Sequence, residues 1–321
     1  MKISRRFLPL AILAIGLPVL VPATGLAEGR VVRLLTIGNS FSRNATKHLG
    51  ELAEAGGHEL VHRPIIVGGA SLELHATKAQ AHEQDAADPA GLYADGRSLR
   101  DELLDGEWDF VTIQQASIKS HDLATYRPFA NWLADYVARH APSAKLLVHQ
   151  TWPYRIDDPR FAKTDAQPGE PRSDEEMHRG LAHAYRTIAA ELGAGILPVG
   201  DAFFLAASDE RWGFRPDPSF DPKSAEHPSL PDQRHSLHVG WRWTKGKDGG
   251  PPRLSMDGHH ANLAGEYLGA CVWYEVLFGE SVVGNTHVPA GLAIDHARFL
   301  RETAHRAVAE ERARSAGERL P

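Results

Sequence analysis

Short β-branched apolar runs alternate along this chain with longer segments whose apolar positions recur every three to four residues. The runs are Val31 to Ile37, His58 to Val67, Trp108 to Gln115, Ala144 to Gln150 and Gly195 to Val199. Each is strand length and ends in small or polar residues. Between them, Asn44 to Ala55, Leu72 to Ala86, Arg97 to Leu104, Tyr126 to His140 and Asp174 to Leu192 have helical character. Phe129, Leu133, Tyr136 and Val137 mark the buried face of one of them. Strands that alternate with helices predict an α/β domain with a five-stranded parallel sheet and right-handed crossovers, a three-layer α/β/α sandwich. Thr151 to Asp174, rich in Pro, Asp and Arg, reads as a surface loop. The rhythm fails again over about 208–256, which carries seven prolines and reads as an irregular insertion, with a hairpin arm at His238 to Trp243. Two helices, Ala261 to Phe278 and Ile294 to Ala309, end the pattern.

The first 27 residues stand apart. A basic start with Lys2, Arg5 and Arg6, an apolar run from Phe7 to Val21 and small residues up to Ala27 form a signal-peptide pattern, too short and wrongly flanked for a stable span. The expectation is therefore export, to the periplasm or beyond, with 28–321 as the working domain and no stable membrane span once the signal is cleaved. Cleavage removes three cations and no acid, so the formal charge of −6 falls by three to −9. An acidic chain whose basic residues are interleaved with acids lacks the concentrated basic face of a nucleic-acid binder. The single cysteine, Cys271, lies in an apolar run and reads as core, so no intrachain disulfide forms.

Two stretches carry candidate chemistry. Gly38-Asn39-Ser40 closes the first strand, placing Ser40 at a strand-to-helix hinge beyond the carboxyl end of the sheet, where ligands bind in open α/β folds. The same three residues serve equally well as a turn and helix cap. Asp257-Gly258-His259-His260 precedes a helix, and an acid three residues before a histidine can orient one ring nitrogen and leave the other for a nucleophile. On a turn, Asp257 reaches His260 more readily than His259, which is expected to point elsewhere. The histidine pair is also half of a zinc site, but no second pair of histidines or cysteines stands at ligand spacing. Hence no metal or other cofactor is expected.

Together, Gly38-Asn39-Ser40, Gly68-Gly69, Gln114-Gln115 and Asp257-x-x-His260 resemble, in order, the four blocks of the SGNH (GDSL-like) hydrolases, over roughly residues 31 to 280. Gln150-Thr151-Trp152-Pro153 and the phrase from Ala270 to Glu275 look like a poorly characterised bacterial branch of that superfamily. The resemblance implies a flavodoxin-like sheet order and a serine esterase in which Ser40 attacks, His260 is the base and Asp257 orients it. Its oxyanion donors are then the Ser40 and Gly69 backbone N–H groups and the Gln114 amide, with Gly68 and Gln115 as alternates. Two departures stand out. Asn39 replaces the usual aspartate, and a glutamine replaces the usual asparagine of the third block. Strand alternation lets only one of Gln114 and Gln115 face the pocket, and Gln114 is favoured. The implied substrate is a small-molecule or polysaccharide acyl ester, with a carbohydrate O-acetyl group as the narrower expectation if Trp152, Tyr154, Trp241 and Trp243 line a cleft rather than the core. A lipase- or thioesterase-like activity and a non-catalytic carbohydrate-binding module are the alternatives.

Overall fold

The computed structural model describes residues 29–165 and 169–317; the expected signal peptide lies outside them. Among the described residues no helix is long and apolar enough to cross a membrane. Five parallel strands, β1 (Val31–Gly38), β2 (Glu59–Ile66), β3 (Phe110–Ile113), β4 (Lys145–His149) and β5 (Gly195–Leu197), form one sheet in the order β2-β1-β3-β4-β5. This is the flavodoxin-like order expected. The sheet's interior strands are nearly continuous apolar runs because helices cover both faces.

The helices are α1 (Ser40–Ala45), α2 (Leu49–Ala55), α3 (Leu72–Gln84), α4 (Leu99–Leu104), α5 (Phe129–His140), α6 (Asp174–Leu192), α7 (Val199–Ser208), α8 (Leu263–Phe278) and α9 (Ile294–Gly317). The segments α3 to α6 pack in one group, while α8 is surrounded by α1, α2, α7 and α9. That position explains its composition. Apolar on all sides, α8 is buried along almost its whole length, Cys271 included.

Three local features differ from the expected pattern. The first helix begins at Ser40 itself, because Asn39 caps it by accepting a hydrogen bond from Phe41 N, and it breaks after Ala45 before α2 begins. A helix, α7, follows β5 without a sequence signal strong enough to separate it from the insertion. Finally, the arm β6 (His238–Thr244) pairs antiparallel with a strand β7 (Arg253–Ala261), so that Asp257 to His260 belong to a strand rather than to a plain turn before α8. The remainder of the insertion is irregular.

Candidate active site

The site begins at the end of β1. Gly38 has no room for a side chain, since an added Cβ would lie 2.5 Å from Ser42 Oγ and 2.9 Å from Gln114 Oε1. Asn39 then caps α1, and Ser40, as the first helical residue, keeps a backbone N–H with no partner inside the helix.

The fourth block reaches Ser40 through a bulge. Pairing of β6 with β7 matches His238 with Ala261 and Gly240 with Asp257, so a single residue of β6 faces the three residues Gly258, His259 and His260. In a regular strand, positions three apart point to opposite faces. The two extra residues remove that conflict and let Asp257 Oδ1 accept from His260 N at 3.1 Å. The His260 ring then has Nδ1 3.1 Å from Asp257 Oδ2 and Nε2 2.9 Å from Ser40 Oγ. Burial works against the charge on Asp257, but the hydrogen bonds from the His260 ring and backbone, and the neighbouring imidazoles, outweigh it. They hold the carboxyl well below the usual carboxylate range.

The glutamines take a different part from the one expected. Gln114 faces inward and is buried, but its Oε1 is pinned by three donors, Ser42 N at 2.9 Å, Asn39 N at 3.5 Å and Ser42 Oγ. Its two amide hydrogens go to Asn39 Oδ1 at 2.9 Å and Gln115 O at 3.1 Å. Nothing is left to donate to an oxyanion. Gln115 is equally committed, accepting from Leu72 N and Ala116 N and donating to Thr125. Both braces explain the departures in the blocks. Asn39 must accept from Phe41 N and Gln114 Nε2 while its Nδ2 donates to Ala70 O at 2.8 Å, and an aspartate at that position has no donor for Ala70.

Below this network lies His149, at the end of β4, whose Nδ1 is 3.0 Å from Ser42 Oγ. Burial pushes its ring down to about 3, so it is neutral and donates to the serine that in turn donates to Gln114. Ser42 and His149 were not legible as site residues, because each reads as ordinary strand-end or helix polarity.

The other two expected donors are backbone N–H groups. Neither Ser40 N nor Gly69 N donates to any group among the described residues. Gly69 has φ +68°, which favours glycine, whereas Gly68 has ordinary backbone geometry.

Of the two readings of the aromatic residues, cleft or core, the contacts fit packing better than an open cleft. Trp152 is fully buried, stacked on Phe203 at 4.4 Å and close to Phe41 at 4.5 Å, and its Nε1 donates to His259 O. Trp241 packs on Phe220, and Trp243 Nε1 donates to Ser229 O, so both tie the insertion to the β6–β7 arm. Tyr154 is buried, with its OH 3.0 Å from Ser117 Oγ. Of the four, Trp152 and Tyr154 are buried, and Trp241 and Trp243 are half-buried on β6.

A model of a domain of unknown function, DUF4886, matches residues 33–202, more than half of the sequence. The chain belongs to the DUF4886 family. It is similar to the crystal structure of a DUF4886 family protein from Bacteroides uniformis ATCC 8492, at 24% identity and a TM-score of 0.65, covering 87% of this chain and 95% of that one. It is also similar to a Slackia heliotrinireducens protein described as an SGNH hydrolase, at 23% identity, TM-score 0.46, 76% of this chain and 98% of that one. The periplasmic domain of a lipopolysaccharide acetyltransferase from Salmonella ser. Paratyphi A matches at 12% identity, TM-score 0.42, 77% and 82%. No curated protein sequence matches.

In this DUF4886 chain, His259 does not point away as expected. Its Nδ1 is 3.2 Å from Asp257 Oδ1, so that both imidazoles approach one carboxylate. Asp257, His259 and His260 are also the one group among the described residues whose ligand-type atoms gather within 4.8 Å. The surroundings do not suit a metal ion. Arg160 Nη2 lies 2.8 Å from His259 Nδ1, putting a permanent cation and a donor hydrogen on a nitrogen that a metal would need. His260 Nε2, meanwhile, faces Ser40. Arg160 is itself held by Asp158 and lies over the Tyr154 ring at 4.0 Å. The loop that supplies it grips the bulge directly, through Arg155 N to Gly258 O at 2.7 Å.

Proposed function

We propose that this protein is a serine hydrolase that cleaves an acyl ester by way of Ser40, His260 and Asp257. The observation that carries the reading is the 2.9 Å approach of Ser40 Oγ to His260 Nε2, with Asp257 on the other ring nitrogen. Ser40 Oγ bonds to the ester carbonyl carbon as its proton passes to His260 Nε2. The resulting imidazolium is stabilised by Asp257, and the carbonyl oxygen becomes an oxyanion that accepts hydrogen bonds from the Ser40 and Gly69 N–H groups. The bond to the alcohol oxygen then breaks, His260 returning the proton to that oxygen. Water repeats the cycle on the acyl-serine, releasing acid and regenerating Ser40.

A non-catalytic carbohydrate-binding module is the weaker reading, since a sugar platform has no need of a serine aimed at an oriented imidazole. The substrate class we propose is an acyl ester without restriction to carbohydrates, because the tryptophans that would have favoured a sugar are engaged elsewhere. Export to the periplasm or beyond is proposed on the N-terminal sequence pattern alone. The kinetic test is hydrolysis of an aryl acetate by the wild type, Ser40→Ala, His260→Ala and the double variant. Each single change should cost roughly ten-thousand-fold in kcat, with the double variant little worse, because the groups act as a unit. Full turnover by Ser40→Ala would refute the mechanism.

A further inference from the structure

His259 presents a conflict that its neighbours resolve. Its Nδ1 is 2.8 Å from Arg160 Nη2 and 3.2 Å from Asp257 Oδ1. A guanidinium only donates and a carboxylate only accepts, so the same nitrogen cannot satisfy both. With the proton on Nδ1 it bonds to Asp257 and repels Arg160; without it, it accepts from Arg160.

Arg160 has the firmer claim. Its guanidinium is fixed by two contacts to Asp158 Oδ1 and Oδ2, at 3.0 and 3.2 Å, and by stacking on Tyr154. Asp158 is in turn buried against Gly258, the first residue of the bulge. We infer that Arg160 is a positioning residue that holds the His259 ring with its proton on Nε2, and so keeps the Asp257 carboxylate for His260. This rests on the triad proposed above.

The charges around His259 agree with that assignment. Asp257 on the same strand and Asp158 from the 151–173 loop favour a proton on the ring; His260, 4.2 Å away ring to ring, and Arg160 oppose it, as does burial, the largest influence. The balance lowers the affinity of His259 for a proton. Across the arm, His238 is buried and uncharged, and Arg242 approaches Asp257 at 3.5 Å.

Removing Arg160 would free Nδ1. As the pH falls His259 would then gain a proton and donate it to Asp257 Oδ1. The carboxylate would divide its charge between two rings, and a new cation would stand beside His260. A positive neighbour makes the His260 imidazolium harder to form, so the base weakens in the acid half of the profile.

The test needs two readouts on the full-length protein. Nitrogen-15 NMR of the histidine rings in the wild type should find neutral His259 as the Nε2–H tautomer, gaining its second proton at a lower pH than an ordinary histidine. In Arg160→Met, His259 should carry a proton on Nδ1 and titrate. Kinetically, Arg160→Met should lower kcat/KM for an aryl acetate about tenfold at pH 6 and much less at pH 8. Adding His259→Asn, whose amide does not titrate, should restore the pH profile, whereas a merely structural loss would persist. An Nδ1–H tautomer in the wild type, or an unrescued double variant, would overturn the inference. A wild type with the expected tautomer but no esterase activity would instead refute the proposed function while leaving the Arg160–His259 pairing intact.

Discussion

Gln114 was expected to donate to an oxyanion, and its amide hydrogens instead go to Asn39 Oδ1 and Gln115 O. It lies just past the end of β3 and is buried like its neighbour Gln115, so strand alternation did not separate the two, and no spacing rule reveals that Ser42, Asn39 and Gln115 will close on one amide. Its replacement tests the structural role. Gln114→Ala takes the acceptor from Ser42 N and Ser42 Oγ in a buried place, while Asn39 Oδ1 keeps Phe41 N, at about 1–3 kcal/mol for each group left unpaired. We therefore expect a fall in Tm of roughly 5–10 °C by calorimetry. Gln114→Glu should be no better, because a carboxylate oxygen would face Asn39 Oδ1. An unchanged Tm for both would contradict the bracing role. His260 and His259 make the complementary case. The motif named the residue that meets Ser40, while the second contact to Asp257 could not be read without knowing where Arg160 falls.

At the scale of elements, the bulge in β7 is what brings acid and base together. The sequence separated them by three residues, a spacing compatible with a turn, and the antiparallel partner β6 was anticipated only as an isolated arm. The bulge is held from outside by the 151–173 loop. Gly258 allows this contact because an added Cβ would stand 2.5 Å from Asp158 Oδ2 and 3.1 Å from Asp158 Cβ. Gly258→Ala should therefore displace Asp158 and loosen Arg160. The expected outcome is a loss of at least tenfold in kcat/KM, through misplacement of the His260 ring, with Tm lowered by only a few degrees. Activity equal to the wild type would show that the clamp does not position the base. That loop read as featureless surface because proline, aspartate and arginine are common in solvent. The signal present was the pair Asp158 and Arg160, two residues apart, which gives a local ion pair without revealing what the pair leans on.

For the molecule as a whole, layer architecture was legible because five β-rich runs alternate with amphipathic helices, whereas the sheet order was implied only by the resemblance of the four blocks; α8 is apolar all round and buried. What the alternation left out was the extent to which neutral histidines are folded into the interior. His75, His149 and His238 are fully buried, and burial pushes their rings down to about 4, 3 and 4. In the unfolded chain each binds a proton near its ordinary value of 6.5. Between about pH 4 and pH 6.5 the unfolded state therefore holds more protons, so stability rises with pH across that window and is lost as the pH falls through it. Thermal melts should be flat above pH 7 and decline steadily from pH 6.5 towards 4, by roughly ten degrees or more. The decline should be shallower in His149→Gln, and a melt independent of pH over this range would contradict the assignment.

All three scales meet at one serine, and the most direct test is whether it is activated. The measurement is the rate of covalent labelling by a fluorophosphonate, with the modified residue located by peptide mass spectrometry. The account predicts rapid, stoichiometric modification at Ser40 in the wild type. Labelling should slow by orders of magnitude in His260→Ala, because the unassisted hydroxyl is a weak nucleophile, and be absent in Ser40→Ala. Labelling at another residue, or at Ser40 with the same rate when His260 is gone, would contradict it.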